Sequence, residues 1–167
     1  IKIMNENLYI FKQDSIWVLL GKTPSEFQVQ EVHPFLGIAA RRSVVNVESG
    51  AIFLGSDYEF YSFAGSVSTT QKLTYKLAMG GDLTRDLNPL INRDRMDQVQ
   101  AVYHNNLYRC CFVEDGLTQN NLEFCYNTIN STTFLTRGNN VSCYIHYDRF
   151  PDKNELVTGR SDIGRLM

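Results

Sequence analysis

The sequence has no run approaching the roughly 18 apolar residues of a membrane-spanning helix, and it does not open on the charged, apolar and small-residue series of a secretion signal. It also lacks a surplus of either charge. With 16 Lys and Arg against 18 Asp and Glu, the net charge of −2 gives no field broad enough to hold nucleic acid or an anionic membrane, so any phosphate contact has to be local. Tryptophan is reduced to Trp17, and the four cysteines include no C-x-x-C pair, the spacing that marks zinc and thiol-redox sites. Cys110 and Cys111 are adjacent in a strand-like run, where neighbours point to opposite faces, so they suit neither each other nor one metal. The expectation for Cys110, Cys111, Cys125 and Cys143 is buried, reduced thiols, in keeping with a reducing cytoplasm during synthesis. Two glycosylation sequons, Asn130-Ser131-Thr132 and Asn140-Val141-Ser142, suit secretion instead, but a chain rich in Asn, Ser and Thr produces such triplets by chance.

What is present is globular: 167 residues, 43% hydrophobic and 20% charged, enough for a domain that folds around a core without metal or disulfide staples. Ile1 is not an initiator residue, and Met167 follows directly on a strand-like segment, so both ends are read as cuts. Short aromatic or β-branched segments recur almost everywhere: 7–13, 15–21, 26–32, 42–48, 51–56, 58–65, 99–105, 107–114, 121–128, 141–147 and 155–160. Turn residues bound them, among them Gln13-Asp14-Ser15, Glu48-Ser49-Gly50, Asn105-Asn106 and Asp115-Gly116. Such turns are too short for the crossover that a parallel pair needs, which makes the pattern antiparallel. Residues 82–98 break it. There Leu87, Leu90, Ile91 and Met96 stand at near-helical spacing with Pro89 tolerable in a first turn, which predicts a short helix crossing between two groups of strands. Gly80-Gly81 reads as the chain break before it, since no Lys-Ser/Thr follows to make a phosphate loop.

Segment 7–21 lies over segment 51–65 as an internal repeat. Each is an apolar strand, a tight turn with an Asp, a strand with an aromatic and a closing Gly; Trp17 falls on Tyr61 and Gly21 on Gly65. The offset of about 44 residues fits the roughly 40–50 of a four-stranded propeller blade. A further copy starts at 155–166, with Gly159, Ser161 and Asp162 over Gly55, Ser56 and Asp57 and one residue inserted. One blade cannot bury both of its faces, so copies stack radially. The expected fold is therefore all-β, a partial β-propeller of antiparallel four-stranded blades, about three to four of them, with one short helical crossing. Residues 1–79 are its first blades, 80–98 the crossing, and 99–167 further blades truncated at the end.

The run 36–65, with Gly37 and the Arg42-Ser43-Val44-Val45 stretch leading to a hairpin and an aromatic-aromatic-x-x-Gly ending, resembles the propeller of tailed-bacteriophage tail structural proteins. Residues 11–21 resemble the preceding blade's inner hairpin, 88–112 the family's helix and strand pair, and 155–167 the start of a late blade. Asp57-Tyr58 stands where the pattern has Asp-Gly. The resemblance implies a virion component, a nozzle, hub or adaptor of the tail, acting by assembly around or along the DNA path. It implies a virion location after assembly in the host cytoplasm, and partners that are other copies and other tail proteins. DNA would pass without sequence-specific binding. It brings no catalytic residue, cofactor or metal.

Candidate chemistry is sparse. Asp57 and Glu59 have the spacing of two carboxylates on one strand face, as a glycosidase pair needs, but a turn Asp beside a solvated Glu explains them as well. Asp82, Asp86, Asp94 and Asp97 lack the alternation and central Gly of a calcium loop and read as caps and surface charge. His33, His104 and His146 are scattered, and no G-x-S-x-G elbow exists. Arg41, Arg42, Arg93 and Arg95 are the basic clusters: contacts to DNA phosphates or, better supported beside Asp94 and Asp97, ion pairs between subunits or blades. Trp17, Tyr58, Phe60, Tyr61 and Phe63 could stack on sugars, although strand alternation assigns them first to packing. The alternative to a non-enzymatic tail component is thus a secreted carbohydrate-binding or glycoside-processing propeller, motivated by these aromatics and the sequons.

Overall fold

The computed structural model describes the backbone of residues 1–76, 84–85, 87–150 and 153–160, and the side chains of 1–74, 87–146 and 155–160. The protein is all-β. Among the described residues there are three four-stranded and two two-stranded antiparallel sheets, and helical structure is confined to short 3-10 turns. The chain divides into two compact units, Ile1–Leu73 and Thr74–Met167.

In the first unit, β1 (Lys2–Met4), β2 (Asn7–Phe11), β3 (Ile16–Leu20) and β4 (Gln28–His33) follow one another across sheet I. Sheet II repeats the meander with β5 (Val45–Val47), β6 (Gly50–Leu54), β7 (Phe60–Phe63) and β8 (Thr70–Leu73). The β1–β2 turn is two residues long because Asn5 and Glu6 both take positive φ, 48° and 64°, the twist that matches flanking strands. Gly50 is fixed by contact as well as by its φ of +148°: a Cβ there would lie 2.1 Å from the Phe63 carbonyl oxygen.

The two sheets pack through one face of each. Tyr9 pairs with Val18 and Phe11 with Ile16, so these four share a face. They join Ala51, Phe53 and Phe63 of sheet II in a core whose rings meet edge-on, Tyr9 to Phe63 at 5.5 Å and Phe11 to Phe53 at 5.4 Å. The other face of sheet II is buried too, with Ile52, Leu54 and Phe60 fully enclosed. Burial on both faces is why β6 reads as a continuous apolar run instead of an alternating one.

In the second unit, β9 (Tyr75–Lys76) pairs with β10 (Thr84–Arg85). Sheet III then runs β11 (Gln100–His104), β12 (Leu107–Val113), β13 (Asn120–Asn127) and β14 (Thr132–Arg137). Its first turn, Asn105-Asn106, has positive φ at both residues, as in sheet I. A hairpin of β15 (Val141–Phe150) and β16 (Lys153–Arg160) follows.

The expected helix over 82–98 is corrected. Of that stretch, 82, 83 and 86 lie outside the described residues, 84–85 is strand, and the rest forms two 3-10 turns, Asn88–Leu90 and Arg93–Gln98. Between them Ile91 is extended and bridges to Glu114. Asn92 restarts the chain by accepting a hydrogen bond from the Asp94 amide, and Arg95, at φ −121° and ψ 28°, prevents continuation as one helix. The Gly80-Gly81 break, Asp82, Asp86, Ser161 and Asp162 also lie outside the described residues.

Candidate interaction surface

The exposed arginines fall on turns that recur. A segment just upstream of sheet II forms a single bridge, Ile38 to Gly55, at the end of β6. There the Ala39 amide donates to the Leu54 carbonyl at 3.1 Å, and the Ser56 amide donates to the Gly37 carbonyl at 3.1 Å. Upstream of sheet III the same geometry joins Ile91 to Glu114: the Asn92 amide donates to Val113 and the Asp115 amide to Leu90, both at 2.9 Å. Each bridge is followed by a 3-10 turn, Arg41–Ser43 in one case and Arg93–Gln98 in the other, and then by the first strand of its sheet. Arg42 and Arg95 each stand four residues past the bridging isoleucine.

Arg41, Arg42, Arg93 and Arg95 are all exposed. Their turns are nonetheless fixed. Ser43, buried beneath the first, donates to the Ala40 carbonyl at 2.7 Å and accepts from the Leu54 amide at 3.0 Å. In the second, the Arg93 guanidinium donates to the Asn88 side chain at 2.6 Å. The exposed Asp94 and Asp97 dilute the second turn's charge, whereas the Arg41–Ser43 turn is basic only. A guanidinium presented on a rigid turn suits a carboxylate or phosphate of a partner, because its planar fork binds both oxygens at once.

Asp57 and Glu59 both lie near Tyr61, whose phenol each of them raises. Asp57 is a turn residue whose carboxylate accepts from the Glu59 amide at 3.2 Å and the Tyr61 hydroxyl at 2.7 Å. Burial first, and then this bond to Asp57, push the Tyr61 phenol well above its ordinary range. Tyr58 takes the left-handed conformation, φ 64°, which favours Gly. Glu59 is not solvated as expected but buried, 3.7 Å from the Lys72 ammonium.

The polar cluster that sequence reasoning missed lies in the second unit. Glu123, buried on β13, accepts from the Tyr144 hydroxyl at 2.6 Å and from Thr136 Oγ1 and Asn139 Nδ2 at 3.0 Å each, with Arg109 Nη1 at 3.6 Å. On the same face the Cys111 thiol donates to the Val141 carbonyl at 3.2 Å. β15 therefore lies on this face of sheet III. Nothing in NLEFCYNT marks Glu123 as buried; the partner that covers it is some twenty residues away in sequence, as the separation of 21 shows. The same approach brings His104 and His146 to 5.4 Å between ring centres. His104 is held below its ordinary value by desolvation first, then by His146 and Arg109.

Cys110 and Cys111 do point to opposite faces, and all four cysteines are free, three buried and Cys143 half-buried. Burial pushes the Cys111 and Cys125 thiols up to about 12, so neither is a thiolate near neutral pH. With its carboxylate saturated and its thiols protonated, the cluster fastens a hairpin to a sheet. Among the described residues no group of three or more His, Cys, Asp or Glu is placed to hold a metal, and no helix is long and apolar enough to cross a membrane.

A scan against protein-family models finds no match, and no curated protein matches the sequence.

Proposed function

We propose that the protein is a bacteriophage virion structural protein, a tail component of the nozzle, hub or adaptor kind, whose sheets are blades of a β-propeller and which acts by assembly instead of turnover. The observation that carries this reading is the recurrence of one unit: a single bridge, an arginine-bearing 3-10 turn and a four-stranded meander, seen for sheets II and III. A sheet buried on both faces, as sheet II is, belongs in a stack of like sheets. The phage assignment rests on the sequence resemblance of residues 36–65. The protein's partners are copies of itself and other tail proteins in the virion, met in the host cytoplasm during assembly, with DNA passing and no base being read.

The turn Arg41–Ser43 supplies the contact to a neighbour, since aromatic and Arg residues commonly anchor such interfaces. Two variants of the intact protein test this in the phage that encodes it. Arg41→Glu with Arg42→Glu is expected to reduce incorporation into tails, and Asp57→Asn with Glu59→Gln to leave it near wild type. Loss of a hydrolytic activity in the carboxylate variant, with normal incorporation of the arginine variant, reverses the assignment in favour of an enzyme.

A further inference from the structure

The interface between sheet III and the β15–β16 hairpin ends in two histidines. Cross-strand pairing joins Gln100 to Cys111, Val102 to Arg109 and His104 to Leu107, so His104 shares a face of sheet III with Cys111 and Arg109. Cys111 pairs in turn with Glu123, which makes this the face that β15 covers. On β15, Tyr144 and His146 are two residues apart and point to one side of the strand. Tyr144 reaches Glu123 on β13, and His146 reaches His104 on β11.

The two rings stand at the separation that one shared metal ion requires. Imidazole nitrogens about 2.0–2.1 Å from a tetrahedral ion bring their ring centres to about 5.2 Å. The centres of His104 and His146 are 5.4 Å apart. A direct hydrogen bond between imidazoles gives a similar spacing, but among the described residues neither ring makes a hydrogen bond. Nor do the rings stack, since their planes are tilted by 46°. His104 is half-buried and His146 exposed, so an ion from solvent reaches the pair without opening the core.

We propose that His104 and His146 share one divalent transition-metal ion of the kind imidazole favours, zinc, nickel or copper, and that this ion adds a second tie between hairpin and sheet. Water completes the coordination, because among the described residues no third His, Cys, Asp or Glu is placed to join them. The surroundings set a modest affinity. Arg109 is close enough to act on His104 and opposes a further positive charge, while Glu123, 3.6 Å from that guanidinium, offsets part of it. Tyr144 fastens the hairpin to β13 and the ion fastens it to β11, so two points on different strands restrain its rotation as well as its separation. The site is independent of virion membership.

Imidazole nitrogen NMR of the 167-residue chain, titrated with zinc at neutral pH, tests it, with His33 as internal control because it lies in the other unit. His104 and His146 are expected to shift together along one curve that saturates by about 1 mM zinc, with one ion bound per chain and His33 unmoved. In His146→Gln the His104 signal should need at least about tenfold more zinc for the same shift, and in His104→Gln the same should hold for His146. Circular dichroism of both variants should match wild type, and the wild-type curves decide the matter even if a variant unfolds. Separate curves for the two rings, or binding at His104 unchanged by loss of His146, would show two independent weak sites and overturn the proposal. Zinc shifts no larger at the pair than at His33 would overturn it as well.

Discussion

Tyr144 on β15 donates a 2.6 Å hydrogen bond to the buried carboxylate of Glu123 on β13, joining a two-stranded hairpin to the face of a four-stranded sheet. Tyr144→Phe deletes that donor and leaves a buried oxygen without it, at a cost of about 1–3 kcal/mol. The urea midpoint at neutral pH is the measurement, and a value within error of wild type would show that the bond contributes nothing to the hairpin's attachment.

The buried thiols give stability a definite pH dependence. Cys111 and Cys125 are raised from 9.0 to about 12 in the fold, chiefly by desolvation. The folded state therefore holds these protons more tightly than the unfolded chain, and their contribution is complete below pH 9 and lost as pH rises toward 12. Urea midpoints should fall between pH 9 and 11, and fall less in a Cys111→Ala, Cys125→Ala variant. In native protein at neutral pH a thiol reagent should reach Cys143 first, with Cys110, Cys111 and Cys125 reacting only after denaturation. Prompt reaction of all four would show that the face beneath β15 is open.

The core between sheets I and II and the exposed face of sheet I should respond unequally to truncation. Phe53→Ala empties a fully buried ring position against Phe11 and should cost about 3–5 kcal/mol. Ile3→Ala, on the open face, should change the folding stability of the monomer by no more than about 0.5 kcal/mol. Equal losses at both positions would contradict the assignment of core and free face.

Strand order and the central repeat were legible in the sequence because they depend on neighbours a few residues apart. Segments 7–21 and 51–65 do form the second and third strands of sheets I and II. Trp17 lies on the side of sheet I turned from sheet II, and Tyr61 on the side of sheet II turned toward sheet I, equivalent sides of successive copies. Strands β1, β8 and β14 escaped notice because KIM, TQKL and TTFLTR carry little of the apolar alternation that strand recognition uses; they are outer strands held by a single neighbour. The helix over 82–98 was misread because four apolar residues at near-helical spacing are equally satisfied by two turns flanking a bridge. Of the candidate site, the exposure of the arginines was legible. The shared position of Arg42 and Arg95 was not, since it depends on the Ile38–Gly55 and Ile91–Glu114 bridges, and neither was the burial of Glu59 and Glu123, which depends on Lys72 and Tyr144.

The proposed role requires that a phage encode the protein, and cryo-electron microscopy of that phage's purified particles is its most direct test. The expected reconstruction places the protein in the tail as radially arranged four-stranded sheets, with the turns Arg41–Ser43 and Arg93–Gln98 against neighbouring protein. Particles that lack the protein, or a tail in which both turns face open solvent, would contradict it.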